Sequence, residues 1–153
     1  MIRLSSGLRA SMLWTWGLNA LLEGGHIRVY SGPQPATADA PPSGQLLGYI
    51  STDGLLPQPG QPPGGLHFTL ESRAVLVNHG TWILTGTATG EAGWWRLVWN
   101  APDPGTHSDY YPRIDGTVGE SFRLADTLIT PATRTPVTRF QIVFPFSTTE
   151  LTP

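Results

Sequence analysis

The chain has 153 residues, the length of one ordinary domain. Its 18 glycines and 15 prolines make up more than a fifth of all residues, against roughly 12% in average usage, which excludes a helical bundle. Charged residues are only 13% of the chain where ~25% is usual, and the formal net charge is −2. These totals predict no basic surface for nucleic acid.

The composition excludes several chemistries and favours a folded, partly covered domain. Cysteine is absent, so disulfides, thiolate nucleophiles and cysteine zinc sites are excluded. A hydrophobic content of 39% with six tryptophans is enough to fill a core, which argues against disorder. A surface with so few charges is better suited to a protein that neighbouring molecules cover than to a free monomer.

The first recognisable element is an apolar run from Ala10 to Leu22, preceded by Arg3 and Arg9. The run is shorter than the ~20 residues that span a bilayer, and no good cleavage site of a signal peptide follows it. We therefore interpret it as a helix of the mature protein. Ser5 or Ser6 is its expected N-cap, and Gly24 and Gly25 supply its end.

Spacings of three and four residues place most apolar side chains of this helix on one stripe. The stripe packs either on the domain's own sheet or on a neighbouring subunit. We treat residues 1–24 as an N-terminal helical arm. The stripe residues are Leu8, Met12, Leu13, Trp16, Ala20 and Leu21.

After the glycines the hydrophobic period changes from helical to two, which indicates half-buried strands. The fold expected for residues 25–153 is mainly β, a single β-sandwich of jelly-roll or immunoglobulin-like type with about eight strands, preceded by the one short helix. Proline-rich stretches between the strands are expected to be surface connections. The candidate strands are 26–30, 45–51, 66–70, 74–77, 82–89, 93–100, 110–118, 122–129 and 137–146.

No residue pattern predicts catalysis or a metal. The carboxylates Asp103, Asp109, Asp115 and Glu120 have no spacing that marks an acid–base pair, and Asp115 before a glycine is typical of a turn. No G-x-S-x-G nucleophile motif occurs. Asp103, His107 and Asp109 lie close together in sequence, but a proline–glycine loop does not aim them as ligands. We expect no enzyme activity, cofactor or metal.

Along the most apolar strand, expected at 93–100, successive side chains point to opposite faces of the sheet. Trp95, Leu97 and Trp99 form an ordinary core stripe, whereas Trp94 and Arg96 lie on the opposite face. A partly exposed Trp94 there has three possible roles: packing within the chain, contact with a partner protein, or stacking on a sugar ring.

Several segments, in this order, resemble small structural proteins of the virions of tailed bacteriophages and prophages. They cover most of Leu4 to Phe146 and depart from that pattern at 57–63 and 101–111. The resemblance implies a non-enzymatic virion component of head-decoration, neck or collar, or tail-accessory type. The segments are the short N-terminal helix, His26–Gly32, Gln34–Ala40, Ser43–Gly48, Thr87–Leu97 and Arg113–Gly119.

The expected function is therefore assembly or decoration of a capsid, neck or tail, with the chain located in the virion. Its partners would be other virion proteins and further copies of itself, with no nucleic acid and no membrane. Modest contacts repeated over many copies would supply the binding strength. The arm and the face of strand 93–100 are expected to make these contacts, through Leu8, Met12, Trp14, Trp16, Trp94 and Arg96.

A carbohydrate-binding module for host-surface recognition is the alternative. It would use Trp94, Tyr110 and Tyr111 as a flat stacking row near Asn100 and Asp109. A secreted β-sandwich adhesin is a third interpretation, which the lack of a signal-peptide pattern disfavours.

Overall fold

The computed structural model describes residues 1–55, 64–99, 102–119 and 121–143. The protein is mainly β, with 44% strand and 11% helix. Two short helices lie near the N-terminus, α1 (Ser6–Trp14) and α2 (Leu18–Leu22). The predicted single helix is thus divided. Gly17 has an extended backbone and caps α2, so the chain changes direction between the two helices.

The strands pair antiparallel throughout and form one connected sheet. Its order is β1-β8-β7-β2-β3-β6-β11-β5-β4, with β10 on β7 and β9 on β11. The strands are β1 (Arg3–Leu4), β2 (His26–Ser31), β3 (Leu46–Ser51), β4 (His67–Ser72), β5 (Val75–His79), β6 (Ile83–Gly86), β7 (Gly90–Val98), β8 (Arg113–Thr117), β9 (Phe122–Leu124), β10 (Leu128–Ile129) and β11 (Arg134–Val143).

The sheet curls around an aromatic core. Strands β7 and β11 are separated by three others in the strand order, yet the rings of Trp95 and Phe140 lie 5.3 Å apart. Phe140 also contacts Trp82 at 4.9 Å, and Phe122 contacts Trp95 at 5.5 Å between ring centroids. The curled sheet resembles half of a barrel. A closed sandwich of jelly-roll or immunoglobulin type is not confirmed.

The N-terminal arm belongs to this core. Strand β1 pairs with β8, with Arg3 opposite Asp115. Leu8 and Leu22 are fully buried, and Leu21 is nearly so. Leu13, however, is 89% exposed, so the predicted apolar stripe does not lie on one face. Leu13 lies five residues after the buried Leu8 within α1, which places it about 140° around the helix axis and therefore on another face.

Parts of some predicted elements fall outside the described residues. They are Asn100, Glu120, the proline tract at 56–63, and the end of the last strand with Phe144 and Phe146. In the part of the chain that the structure describes, no helix is long and apolar enough to cross a membrane.

Candidate functional site

The face of β7 that carries Trp94 and Arg96 is buried by the chain itself. Both side chains have no exposed surface. Trp94 stacks on Tyr30 with ring centroids 4.5 Å apart, and its indole Nε1 donates to the carbonyl of Ser43 at 3.1 Å. Arg96 donates through Nη1 to the carbonyl of Ala40 at 2.9 Å. The loop between β2 and β3 therefore covers this face, which corrects the expectation of a partly exposed Trp94 available to a partner.

Two buried arginine–aspartate pairs lie beneath the covering loops. Arg96 on β7 donates from Nε and Nη2 to the two carboxylate oxygens of Asp115 on β8, at 2.7 and 2.8 Å. Arg113 on β8 donates in the same two-pronged way to Asp103, at 2.6 Å for each bond. Such bidentate pairs fix the relative position of the groups that they join. The first pair joins the neighbouring strands β7 and β8, and the second attaches the loop before β8 to the face of the sheet.

These pairs account for carboxylates that the sequence left without a role. Asp115 lies within a strand and is fully buried, so its interpretation as a turn residue was wrong. Burial raises the pKa of Asp115, while the hydrogen bonds from Arg96 act in the opposite direction. Burial also acts to raise the pKa of Asp103, but the hydrogen bonds from Arg113 and from the amide of Gly105 outweigh it and lower that pKa.

His26 begins β2 on the same loop-covered face. Its pKa is lowered to about 4, chiefly because burial disfavours the charged imidazolium and also because Arg28 is near, while Asp103 opposes the shift. Its Nε2 atom has no hydrogen-bond partner within the described structure. The folded protein therefore holds His26 neutral at pH 7.

The stacking row predicted for a carbohydrate is not formed. Trp94 is buried, and the rings of Tyr110 and Tyr111 meet edge to face at 77° rather than lying in one plane. Tyr110 itself is 76% exposed. The aromatic residues proposed for the row therefore do not present one flat surface.

The four predicted contact residues of the arm divide into two pairs. Leu8 is fully buried in the core, and Met12 packs against the core while half-buried. Leu8 is thus not available to a partner. Trp14 is 92% exposed and Trp16 is 54% exposed. The structure leaves these two tryptophans on the surface, at and just beyond the end of α1.

Helix α1 is held against the segment before β8 at its first turn. The buried hydroxyl of Ser5 accepts from the amides of Leu8 at 3.1 Å and Arg113 at 2.9 Å, and donates to the carbonyl of Tyr111 at 2.8 Å. Ser5 is thus the N-cap of α1, one of the two serines predicted for that position, and its hydroxyl also joins the helix to the segment before β8. Gly7 permits the contact, since a Cβ there would lie 2.0 Å from the carbonyl oxygen of Tyr110.

A cleft of about 420 Å³ opens between the helices and this segment. This volume is within the range of ligand-binding pockets, roughly 300–1,000 Å³. From the sequence, Trp14 and Trp16 were predicted contact residues of the arm, whereas Trp99 was expected in the core stripe and Tyr110 in the row predicted to stack on a sugar. No sequence signal joins residues so far apart, because the cleft arises from the packing of α1 on a loop. Its aromatic residues are Trp14, Trp16, Trp99 and Tyr110.

The cleft contains hydroxyl groups and one carboxylate, from Ser11, Thr15 and Asp109. Such a set can bind a ligand by stacking and hydrogen bonding. Within the described ranges, no group of three or more His, Cys, Asp or Glu is placed to hold a metal ion. Asp103 is engaged by Arg113, so the cluster with His107 and Asp109 is not assembled as a ligand set.

Comparisons of the chain with protein-family models, with curated proteins and with solved structures found no match.

Proposed function

We propose that this protein is a non-enzymatic structural component of a tailed-bacteriophage virion, which assembles into the capsid, neck or tail by docking its N-terminal arm on a neighbouring virion protein. The virion assignment rests on the ordered segments that resemble this class of protein. A closed, sandwich-like arrangement of the curled sheet is part of the same proposal.

One observation carries the docking step. Leu13 and Trp14 are adjacent at the end of α1, and they are 89% and 92% exposed. Complete burial of a large apolar side chain stabilises a complex by roughly 1.5–3 kcal/mol, and tryptophan is among the residue types enriched at the energetic centre of interfaces. A partner that covers this pair therefore gains binding free energy without any rearrangement of the core.

The expected contact set differs from the one that the sequence indicated, because buried residues leave it and the exposed Leu13 joins it. Trp94, Arg96 and Leu8 are buried within the chain, so docking depends on the surface formed by Leu13, Trp14 and Trp16. The low proportion of charged residues supports the same proposal, because few charges oppose close approach of many copies.

The test is incorporation into particles assembled from the genome that carries this gene. Full-length protein is expected in purified virions, detected by immunoblot and mass spectrometry. The double variant Leu13→Ser/Trp14→Ser is expected to fold but to be strongly depleted from virions. Leu70→Ser is the matched control, since Leu70 is 67% exposed on β4, at the other end of the strand order.

The outcomes are distinct. Native far-ultraviolet circular dichroism and a cooperative urea transition confirm that the double variant retains its fold. Absence of the native chain from purified virions contradicts the virion proposal. Normal incorporation of the folded double variant contradicts docking through the arm.

A further inference from the structure

The cleft between the arm and the segment before β8 has the composition of a ligand site. Three of its aromatic side chains retain large exposed surfaces: Trp14 is 92%, Trp16 54% and Tyr110 76% exposed. Ligand sites are typically concave and mostly apolar, with a few polar groups that fix orientation. Aromatic rings at such a site offer flat surfaces for stacking, together with a polar atom that can form hydrogen bonds.

The polar groups in the cleft are hydroxyls and one carboxylate. Ser11 and Thr15 come from α1 and its C-cap, and Asp109 comes from the facing segment. Among the described residues that line the cleft, none is basic. A phosphate, sulfate or carboxylate ligand would therefore meet an acidic side chain and no compensating cation, which disfavours anionic ligands.

An uncharged sugar fits this combination. One face of a pyranose ring consists mainly of C–H groups and stacks on an aromatic plane, while its hydroxyls project outward and exchange hydrogen bonds with hydroxyl and carboxylate oxygens. An organic cation would instead favour a closed aromatic cage around the charge, because the cation–π attraction is weak at exposed sites. The large exposure of Trp14 and Tyr110 suits an open stacking surface.

We propose that the cleft between α1 and the Asp109–Pro112 segment binds an uncharged pyranose ring, which stacks on Trp16, Trp99 or Tyr110 and forms hydrogen bonds with Asp109. This function does not rest on virion assembly. Because Trp14 and Trp16 belong both to the cleft and to the proposed docking surface, a bound sugar and a docked virion protein would exclude each other. The proposed site also differs from the row expected from the sequence, because Trp94 has no part in it.

The two sides of the cleft are anchored before any ligand arrives. The close approach at Gly7 fixes α1 against the backbone of Tyr110. The hydroxyl of Ser108 accepts from the amide of Tyr110 at 3.1 Å, and the hydroxyl of Ser5 joins the helix start to Tyr111. Anchored walls lower the ordering cost of binding.

Tryptophan fluorescence reports on the cleft selectively. Trp14, Trp16 and Trp99 line it, whereas Trp82, Trp94 and Trp95 have no exposed surface. The full chain is titrated with methyl glycosides of glucose, galactose, mannose and N-acetylglucosamine, with glucuronic acid and choline as charged comparators. A saturable change with at least one neutral glycoside is expected, with weaker binding of glucuronic acid.

Variants locate the binding site. Trp16→Ala and Tyr110→Ala are expected to weaken binding of the neutral glycoside by roughly tenfold or more, which corresponds to about 1.4 kcal/mol. Leu70→Ala is the control and is expected to bind as the native chain does. Asp109→Asn is expected to reduce the discrimination against glucuronic acid, because it removes the repulsive charge. Circular dichroism verifies that each variant is folded.

Glycan arrays distinguish a free sugar ligand from a glycan that is attached to a surface. Retention on arrays of neutral glycans, lost in Trp16→Ala, identifies a surface glycan as the ligand, whereas binding confined to the soluble glycosides identifies a free sugar. The proposal is overturned if no neutral glycoside gives a saturable change, if only choline does, or if Trp16→Ala and Tyr110→Ala bind unchanged.

Discussion

At the scale of single residues, substitutions in the buried ion pair between Arg96 and Asp115 test whether this pair stabilises the loop-covered face. Asp115→Ala leaves the Arg96 guanidinium buried without its partner, and the loss of one member of such a pair costs about 3–5 kcal/mol. We expect this loss in the free energy of unfolding measured with urea. Asp109→Ala is the control, with a change within about 0.5 kcal/mol, since Asp109 is exposed.

The same pair permits a complementary substitution. Arg96→Met/Asp115→Leu replaces both charges with apolar groups, and replacement of a buried pair in this way is often neutral or stabilising. The double variant is expected to recover most of the lost stability. A single variant that costs less than about 1 kcal/mol would show that the pair is not structurally important.

His26 gives the protein a pH-dependent stability. Its pKa is about 4 in the folded state against an ordinary value of 6.5, so the unfolded chain binds the proton more readily. Stability is therefore complete above about pH 6.5 and falls as the pH decreases toward 4, by an amount of the order of 2–3 kcal/mol. Urea titrations at several pH values between 7 and 4 measure this loss.

His26→Gln is the matched variant, because it keeps a polar side chain and removes the titration. Its stability is expected not to fall across that window. The raised pKa of Asp115 acts in the opposite direction, because a carboxyl that binds its proton more readily in the folded state adds stability as the pH decreases. Carboxylates with lowered pKa, such as Asp53 and Asp103, lose their contribution only below about pH 4 and do not account for the same window. An equal pH dependence in both proteins would contradict the assignment to His26.

At the scale of elements, alanine substitutions at two glycines of the arm are expected to differ in their effect on stability. Gly7→Ala places a methyl group 2.0 Å from the Tyr110 carbonyl oxygen, so α1 must move and stability falls by about 1–3 kcal/mol. At Gly17 a methyl group would have no atom within 4 Å, and φ is negative, so Gly17→Ala changes stability by less than about 1 kcal/mol. Thermal unfolding compares the two.

A second measurement separates displacement of the helix from general destabilisation. Exposure of Trp16 and Trp99 to acrylamide quenching is expected to increase in Gly7→Ala at temperatures where the protein is still folded, because the cleft wall has shifted. Equal quenching in Gly7→Ala, Gly17→Ala and the native chain would show that this contact does not shape the cleft.

The elements that alternation defines were predictable from sequence. The strand expected at 26–30 is β2 (His26–Ser31), and the strand expected at 45–51 is β3 (Leu46–Ser51). In β2 the core residues Ile27 and Val29 alternate along the strand, whereas β3 was recognisable from its apolar residues between turn signals rather than from strict alternation. Strand β1 and the division of the arm helix were not predictable, since pairing with β8 and packing on the core decide them.

The candidate site was predictable only in part, for a related reason. Alternation separates the face with Trp94 from the face with Trp95, but it does not say what covers each face. Hydrogen bonds from Trp94 to Ser43 and from Arg113 to Thr106 decide that two irregular loops cover the first. Trp99 and Tyr110 reach the cleft through the same non-local packing.

At the scale of the whole molecule, the arm and the sheet are one folding unit. The N-terminal segment 1–24, expected as an arm that packs either on the domain's own sheet or on a neighbouring subunit, contributes Leu8, Leu21 and Leu22 to the core. Burial of these three side chains is worth roughly 5–9 kcal/mol, comparable with the ~5–15 kcal/mol of net stability of a typical domain. The sheet and the arm should therefore unfold together.

Deletion of residues 1–24 is thus expected to abolish the native fold rather than merely release an arm. The truncated chain should lose its near-ultraviolet circular dichroism and its cooperative urea transition, because the core loses Leu8, Leu21 and Leu22 and β8 loses its pairing with β1. Full-length Leu13→Ser/Trp14→Ser is the control, which keeps a single sharp transition since both side chains are exposed. A truncated chain that still unfolds cooperatively, with native spectra, would show that residues 25–153 fold independently. Docking and sugar binding must accordingly be tested by point substitutions, because the deletion removes the fold on which both depend.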